Sequence, residues 1–184
     1  TSGAAGTTTA ATIPGGGTTL IMGVSHYAAS LTVPSGWTLV TSKLQGFGLY
    51  SSYLTILERA RDGSEGSTVN VTGNTYAPSV MIVAVDGVSA VASSTGGSFG
   101  STTAECPSIT PTGPGITLRF AAYCAAFAGA SPYSWPAGQT ALPSATGSSQ
   151  GLGTAWAEHD ATIPTVTVTA AAFADHATAT IACT

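Results

Sequence analysis

The sequence predicts an all-β protein, a two-sheet antiparallel β-sandwich of the jelly-roll kind with about 8–10 strands and an internal pseudo-duplication. Three observations support this fold class. Apolar and polar residues alternate in short segments that glycine and proline interrupt. No segment of helix length shows apolar residues at helical spacing. One short motif that contains proline and glycine occurs once in each half of the chain.

The repeated motif predicts a corner between two strands. Residues 31–40 read Leu-Thr-Val-Pro-Ser-Gly-Trp-Thr-Leu-Val, and residues 133–142 read Tyr-Ser-Trp-Pro-Ala-Gly-Gln-Thr-Ala-Leu. Proline fixes φ and offers no N–H to a sheet, whereas glycine readily adopts a positive φ. We therefore expect each copy to turn the chain between two strands, and the repetition indicates that one unit is used twice.

The first half contains an N-terminal arm followed by strands. Residues 1–12 are Gly, Ala, Ser and Thr without periodicity, which is typical of an extended or disordered arm. Strands are expected over residues 18–26, 37–41, 51–59, 68–72 and 79–86, with Leu20, Met22 and Val24 on one face of the first. Residues 79–86 are apolar on both faces, which predicts a strand near the middle of a sheet.

The second half repeats this order. Strands are expected over residues 116–124, 152–159, 165–169 and 177–183, with Leu118, Phe120 and Ala122 corresponding to the apolar face of the first strand. We expect a single sandwich domain over residues 13–184, with pseudo-repeats at 13–87 and 109–184. Residues 88–108 are rich in Ser, Thr and Gly. We interpret them as a linker with one edge strand near 88–92.

Charge is scarce in this chain. Charged residues make up 7% of the sequence, and the net charge is -4. The cations are Lys43, Arg59, Arg61 and Arg119, too few to form a phosphate-binding groove, so we expect no nucleic-acid partner. No apolar run approaches the ~18 residues that span a bilayer, so we expect no membrane association. A surface with so little charge suits a protein that other subunits cover.

No residue pattern predicts catalysis, and we expect a non-enzymatic protein without cofactors. Serines are so frequent that a Ser/His/Asp triad can be drawn with His26, His159 or His176 by coincidence. Glu58 and Glu158 form the natural pair of carboxylates for glycoside hydrolysis, because they end matching strands. Their symmetric placement favours ordinary charged strand ends beside turns.

Two clusters resemble metal ligands, Glu158-His159-Asp160 and Asp175-His176. Neighbouring residues of a strand point to opposite faces, so His159 cannot join an ion held by Glu158 and Asp160. We therefore favour solvated turn residues over a metal site.

The three cysteines, Cys106, Cys124 and Cys183, have neither CxxC nor zinc-ligand spacing. Small buried thiols are the first interpretation, since free cysteine is usually buried. A Cys124–Cys183 disulfide is the alternative.

Aromatic residues fall into two predicted groups. Trp37, Trp135 and Trp156 are expected in the core or at the corners. Four tyrosines remain candidates for contact with a glycan or a protein partner, namely Tyr27, Tyr50, Tyr53 and Tyr133.

Residues 34–40, Pro-Ser-Gly-Trp-Thr-Leu-Val, are followed by Leu-Glu-Arg-Ala, then Gly-Ser-Glu, then Val-Met-Ile-Val-Ala-Val-Asp-Gly-Val. This series, over residues 12–183, resembles a β-sandwich domain of tail, fibre and other minor structural proteins of tailed bacteriophages. The resemblance brings no catalytic residues. It implies a capsid decoration or minor tail subunit at the virion surface.

A decorating subunit is expected to contact major capsid or tail proteins through its arm and one sheet face. We expect a homo-oligomer, for example a trimer. The alternative hypothesis is a secreted carbohydrate-binding or adhesive module that recognises a cell-surface glycan.

Overall fold

The computed structural model describes residues 7–27, 31–46, 51–73, 77–124, 133–146 and 150–184. These residues contain β-strands and no helix, which confirms the predicted all-β class. The strands are β1 Thr8–Thr12, β2 Thr19–His26, β3 Thr38–Gln45, β4 Ser52–Ala60, β5 Thr68–Thr72, β6 Ser79–Val85, β7 Val91–Cys106, β8 Gly115–Cys124, β9 Thr140–Ala141, β10 Ala145–Thr146, β11 Gln150–His159 and β12 Val166–Cys183.

The described strands pair in antiparallel fashion and form two stacked sheets and a ribbon. Sheet 1 has the order β3-β4-β2-β6, and sheet 2 has the order β10-β11-β8-β12-β7, with β9 also paired to β11. β1 pairs with β5 as the ribbon. β2 lies over β8 and β3 lies over β7, so the sheets face each other. The predicted antiparallel β-sandwich is thus confirmed, whereas its jelly-roll connectivity stays a prediction.

The same strand order occurs in both sheets. In sheet 2, β8 takes the place of β2, β11 that of β4, β12 that of β6, and β9 and β10 together that of β3. The ribbon also has a counterpart, because the end of β7 pairs with the start of β12. This correspondence supports the predicted pseudo-duplication.

Both corner motifs form the same turn, as the sequence predicts. A backbone hydrogen bond closes each turn, from Trp37 N to Pro34 O at 3.2 Å and from Gln139 N to Pro136 O at 3.3 Å. Gly36 and Gly138 have φ of 81° and 84°, in the left-handed region that favours glycine. Each corner is also bridged to the end of a paired strand, Thr32 to Thr72 and Ser134 to Thr169.

The buried side chains form three layers. The layer between the sheets contains Ile21, Leu54, Ile56, Val85, Leu118, Phe120, Ala122, Leu152, Ala177, Ala179, Ile181 and Cys183. An outer layer of the first half, between sheet 1 and the ribbon, contains Ile13, Leu20, Met22, Val24, Trp37, Leu57, Val71 and Ile82. The matching outer layer of the second half contains Ala104, Cys106, Ala121, Tyr123, Tyr133, Val168, Ala170 and Ala174.

These layers correct the predicted alignment of the two halves by one residue. Leu20 packs in an outer layer, whereas Leu118, its predicted counterpart, packs between the sheets. A shift of one residue along a strand moves every side chain to the other face. When the inner faces are superposed, Ile21 corresponds to Leu118 and Met22 corresponds to Arg119.

Three further predictions are corrected by the strands. The supposed linker over residues 88–108 is mostly β7, a strand of sheet 2, and composition hid it because Ser, Thr and Gly give no hydrophobic alternation. Within the supposed arm, Thr8–Thr12 is β1 and is paired with β5. β6, predicted near the middle of a sheet, lies at an edge of sheet 1, although both of its faces are covered.

Candidate functional site

The two predicted carboxylates lie in separate cavities. Glu58 lines an open groove of about 500 Å³, whereas Glu158 lines a smaller cavity of about 180 Å³. Their strand positions also differ. Glu58 pairs with Ile21, and Leu118 is the counterpart of Ile21 in the second half. Leu118 pairs with Trp156, so the counterpart of Glu58 is Trp156 and not Glu158. The structure therefore does not bring Glu58 and Glu158 together as a catalytic pair.

The groove that contains Glu58 lies at one mouth of the sandwich, between the end of β4 and the segment that leads into β7. Arg59 is held there by three contacts: Nη2 donates to Ser64 Oγ at 2.6 Å, Nη1 donates to Ser35 O at 3.4 Å, and Nη2 lies 3.6 Å from Asp62 Oδ1. Hydrogen bonds from Ser64 lower the pKa of Asp62, which is exposed. Arg59 and Asp62 are thus paired with each other, and Glu58 adds one negative charge to the groove.

The groove presents polar groups that suit a neutral, hydroxyl-rich ligand. Its lining combines Glu58, Arg59 and Asp62 with the hydroxyl groups of Thr19, Thr38 and Ser89. No aromatic ring occurs among the lining residues that the structure describes. A sugar would therefore be held by hydrogen bonds and without ring stacking.

The smaller cavity lies on the outer face of sheet 2. It is lined by residues of β8, the second corner, the end of β11 and the loop before β12, namely Thr117, Arg119, Gln139, Ala157, Glu158, His159, Asp160, Ala161, Thr162, Ile163 and Pro164. Arg119 is 1% exposed, which makes it the most deeply buried cation among the described residues. In the sequence, Arg119 stands out only as one of four Lys and Arg residues.

Each described histidine contacts at least one neutral polar group. His159 Nδ1 lies 2.9 Å from Thr117 Oγ1, and His26 Nε2 lies 2.9 Å from Thr55 Oγ1. His176 lies 2.8 Å from the Tyr133 hydroxyl through Nδ1 and 2.9 Å from Ser101 O through Nε2. The second contact makes Nε2 the donor, so Nδ1 accepts the Tyr133 proton.

One serine deserves comparison with nucleophilic enzymes, because residues 96–100 read Gly-Gly-Ser-Phe-Gly and match Gly-x-Ser-x-Gly. In hydrolases this pattern forms a sharp turn between a strand and a helix. Here Ser98 lies inside β7, is paired with His176 across the sheet, and donates to Thr103 O at 2.6 Å. The pattern therefore lacks the local structure that exposes a nucleophile.

The two clusters that resemble metal ligands, Glu158-His159-Asp160 and Asp175-His176, remain apart in the structure. Among the described residues, no group of three His, Cys, Asp or Glu side chains comes together. Asp175 accepts a hydrogen bond from Gly100 N at 2.7 Å, which joins the middle of β7 to β12 near a shift in their register. Glu158 and Asp160 are both exposed at the rim of the smaller cavity.

The alternative hypothesis, a Cys124–Cys183 disulfide, is contradicted. Cys183 is a free, buried thiol. In the β8–β12 pairing Cys183 lies opposite Ile116, while Cys124 lies opposite Asp175 at the other end of β8. At about 3.3 Å per residue, the two cysteine positions are roughly 26 Å apart, far beyond the ~7 Å between Cα atoms that a disulfide allows. Cys106 is also a free, buried thiol, as the first interpretation predicts.

The aromatic predictions have mixed outcomes. Trp37 is buried, and Trp135 and Trp156 are partly buried against core layers, as expected. Tyr133 is 6% exposed and packs in the outer layer of the second half, so it is not a surface contact. Tyr27 is half-buried and Tyr53 stacks on His26 with ring centroids 5.2 Å apart. Tyr50 lies outside the described residues.

A surface that sequence analysis missed lies along β7. This strand has β12 as its neighbour on one side, and no described strand pairs with its other side. Phe99 of β7 is 65% exposed and Phe173 of β12 is 73% exposed, the two largest values among the described large apolar side chains. A Cβ added to Gly100 would lie 3.1 Å from the Phe173 ring, so Phe173 packs beside β7.

Comparison with known protein families, with curated proteins and with solved structures finds no match to this chain. The described part of the chain contains no helix that is long and apolar enough to cross a membrane.

Proposed function

We propose that this chain is a non-enzymatic structural subunit of a bacteriophage virion, a capsid decoration or minor tail protein at the virion surface. It acts by making broad contacts with copies of itself and with major capsid or tail proteins. The sequence resemblance stated above motivates this proposal. The observation that carries it is the edge of β7 with which no described strand pairs.

β7 presents an edge suited to pairing with another chain. Its first segment, Val91–Ser98, runs along β12 within sheet 2 and contains neither a charged residue nor proline, whereas Ser101–Cys106 belongs to the counterpart of the ribbon. Proteins that must remain separate usually interrupt such edges with charge or proline, because an open edge offers unpaired N–H and C=O groups to any strand. An edge of eight residues without charge favours subunit pairing by strand addition.

The exposed rings of Phe99 and Phe173 add apolar contact area beside this edge. Aromatic side chains are enriched in protein interfaces, and each buries a large area at little entropic cost. Low charge acts in the same direction, since few ions need to be desolvated when a broad surface is covered. The edge and the two rings together form the contact surface of this proposal.

This location replaces the expected contact through the N-terminal arm. β1 is already paired with β5 of its own chain, and Thr9 Oγ1 donates to Pro78 O at 2.7 Å. The paired part of the arm therefore belongs to the fold. Removing residues 1–11 would damage the ribbon and would not isolate a docking segment.

Two variants, each with two introduced lysines, test the contact surface. Ser93→Lys with Thr102→Lys places two cations at exposed positions of β7, and Thr68→Lys with Asn70→Lys places two at exposed positions of β5 as the matched control. The β7 variant is expected to become monomeric by light scattering and to lose binding to particles that lack this subunit. Equal oligomeric state and particle binding in both variants would contradict the proposal.

The groove beside Glu58 favours a second candidate, a carbohydrate-binding module. Its volume of about 500 Å³ lies within the usual range for ligand sites, and its lining offers carboxylate, guanidinium and hydroxyl groups. Binding on a glycan array that Glu58→Gln weakens and Glu158→Gln leaves unchanged would support this function. A wild-type chain that binds no glycan would remove it.

A further inference from the structure

The small cavity on the outer face of sheet 2 contains a buried positive charge without a negative partner. Arg119 donates through Nη1 to Gln139 Oε1 at 2.5 Å and through Nη2 to Pro164 O at 2.8 Å, and both acceptors are neutral. The ion pairs found among the described residues involve Arg59 and Arg61 instead. Although burial lowers the pKa of Arg119, a guanidinium in a protein stays protonated.

Two polar nitrogens of this cavity are buried without a partner. Within the described part of the chain, Arg119 Nε and His159 Nε2 have no hydrogen-bond acceptor or donor. Buried polar groups almost always have partners, and an orphan frequently marks an ion or molecule that belongs there. Both orphans belong to residues that line the same space of about 180 Å³.

The first half of the chain shows that the fold does not need a cation here. Met22 is the counterpart of Arg119, and Trp37 is the counterpart of Gln139 at the corner. In the first half these two residues pack in one apolar layer. The same architectural position is thus filled by packing in one half and by a buried guanidinium next to a cavity in the other.

The arrangement of donors indicates a carboxylate. Two of the five N–H groups of Arg119 donate to Gln139 and Pro164, which leaves the Nε–H and two Nη–H groups, and a guanidinium can donate two N–H groups to one planar carboxylate. The Thr117 hydroxyl can donate to His159 Nδ1, which leaves the proton on Nε2 as a further donor. Arg119 and His159, both lining the cavity, therefore each have a donor without a partner among the described residues.

The rim carries the opposite charge. Glu158 and Asp160 line the same cavity and are exposed. They repel a ligand with several negative charges and attract an ammonium group. We propose that this cavity binds the carboxylate of a small organic acid with one negative charge, and that an α-amino acid, with its ammonium group at the rim, binds more tightly than a simple carboxylate.

Isothermal titration and the ¹H–¹⁵N signal of the Arg119 side chain test this site at neutral pH. The probes are sodium acetate, glycine, sodium phosphate and sodium chloride at equal ionic strength. We expect saturable shifts of the Arg119 Nε–H signal with acetate and glycine, tighter for glycine, and none with chloride. A stronger response to phosphate, or no saturation with either carboxylate, would overturn the proposal.

Variants separate the base of the cavity from its rim. Arg119→Met copies the residue of the first half and should weaken glycine binding at least about tenfold, since hydrogen bonds to charged groups are strong. Lys43→Met removes a cation from sheet 1 as the control and should leave binding unchanged.

Glu158→Gln with Asp160→Asn alters only exposed side chains, so it keeps the site testable even if Arg119→Met fails to fold. This variant should bind acetate at least as tightly as the wild type and should lose the preference for glycine. A preference that survives the removal of both rim charges would contradict the assigned orientation of the ligand.

Discussion

The contact between Gly23 and Phe120 sets how closely the two sheets approach, and Gly23→Ala measures it. A Cβ added to Gly23 would lie 2.5 Å from Phe120 Cδ1, 2.7 Å from Cε1 and 3.4 Å from Leu152 Cδ2. Phe120 and Leu152 are 0% and 1% exposed, so neither side chain has free space to retreat into. The methyl group must therefore displace a ring or separate the sheets.

The expected cost follows from these distances. Overpacking a well-packed core costs about 1–3 kcal/mol, while replacing glycine with alanine recovers about 0.4–1 kcal/mol through the unfolded chain. We expect Gly23→Ala to lower the free energy of unfolding by about 1–2 kcal/mol. For a domain of this size, this corresponds to a fall in Tm of roughly 2–8 °C.

Urea unfolding followed by tryptophan fluorescence checks this value. Gly15→Ala is the matched control, because a Cβ there meets nothing within 4 Å and the residue has no positive φ. Phe120→Leu should make the alanine less harmful, so the double variant should show a favourable coupling of at least about 0.5 kcal/mol. If Gly23→Ala is as stable as the wild type, the sheets are not in contact at this point.

Three further outcomes are expected. Gly138→Ala should destabilise the protein by about 1–2 kcal/mol in urea unfolding, because its φ of 84° is strained for alanine while nothing lies within 4 Å of the added Cβ; a neutral result would refute the turn. Burial raises the pKa of Cys106 and Cys183 to about 12, so peptide mapping after iodoacetamide treatment at pH 8 should find both thiols unmodified in the native protein and alkylated in urea; rapid native alkylation would contradict their burial. Burial lowers the pKa of His176 below its usual 6.5, so the unfolded chain takes up a proton first, and this contribution to stability is complete above about pH 6.5 and is lost as the pH falls below it. His176→Asn should therefore reduce the loss of stability between pH 7 and pH 5, and an identical loss in both proteins would show that His176 is not the group responsible.

The corners and most strands were predictable because their chemistry is local. Pro34 and Gly36 restrict their own φ angles, and alternation marks β4 within one residue of its observed bounds, Ser52–Ala60. The relation of the two halves was also visible, since the second corner repeats the same turn residues. These signals need no knowledge of what lies across the sheet.

Register and partner choice were not predictable from the same signals. In β2, Leu20, Ile21 and Met22 are all fully buried, so hydrophobicity alone cannot say which of them faces the second sheet. The wrong choice shifted the alignment by one residue. β7 was hidden for the opposite reason, because both of its faces carry small polar residues and its strand character comes from pairing with β12.

The Arg119 cavity depends on residues that are distant in sequence. Gln139 comes from the second corner and Pro164 from the loop before β12, and each accepts a hydrogen bond from the same guanidinium. In the sequence Arg119 is an isolated cation between Leu118 and Phe120. Such a position predicts a charged side chain at a strand surface, and burial becomes apparent only when corner and loop close over it.

The duplication supplies an internal standard for separating packing from binding. Where the two halves agree, as in the turn that Gly36 and Gly138 each form, the residue is explained by the fold. Where they differ at one architectural position, as Met22 and Arg119 do, the fold cannot be the reason, because one half is built without the cation. Burying a guanidinium against neutral acceptors is also less favourable than an apolar contact of similar size. The position of Arg119 is therefore explained by a ligand that supplies the missing negative charge. The acetate and glycine titrations measure the binding of such a ligand.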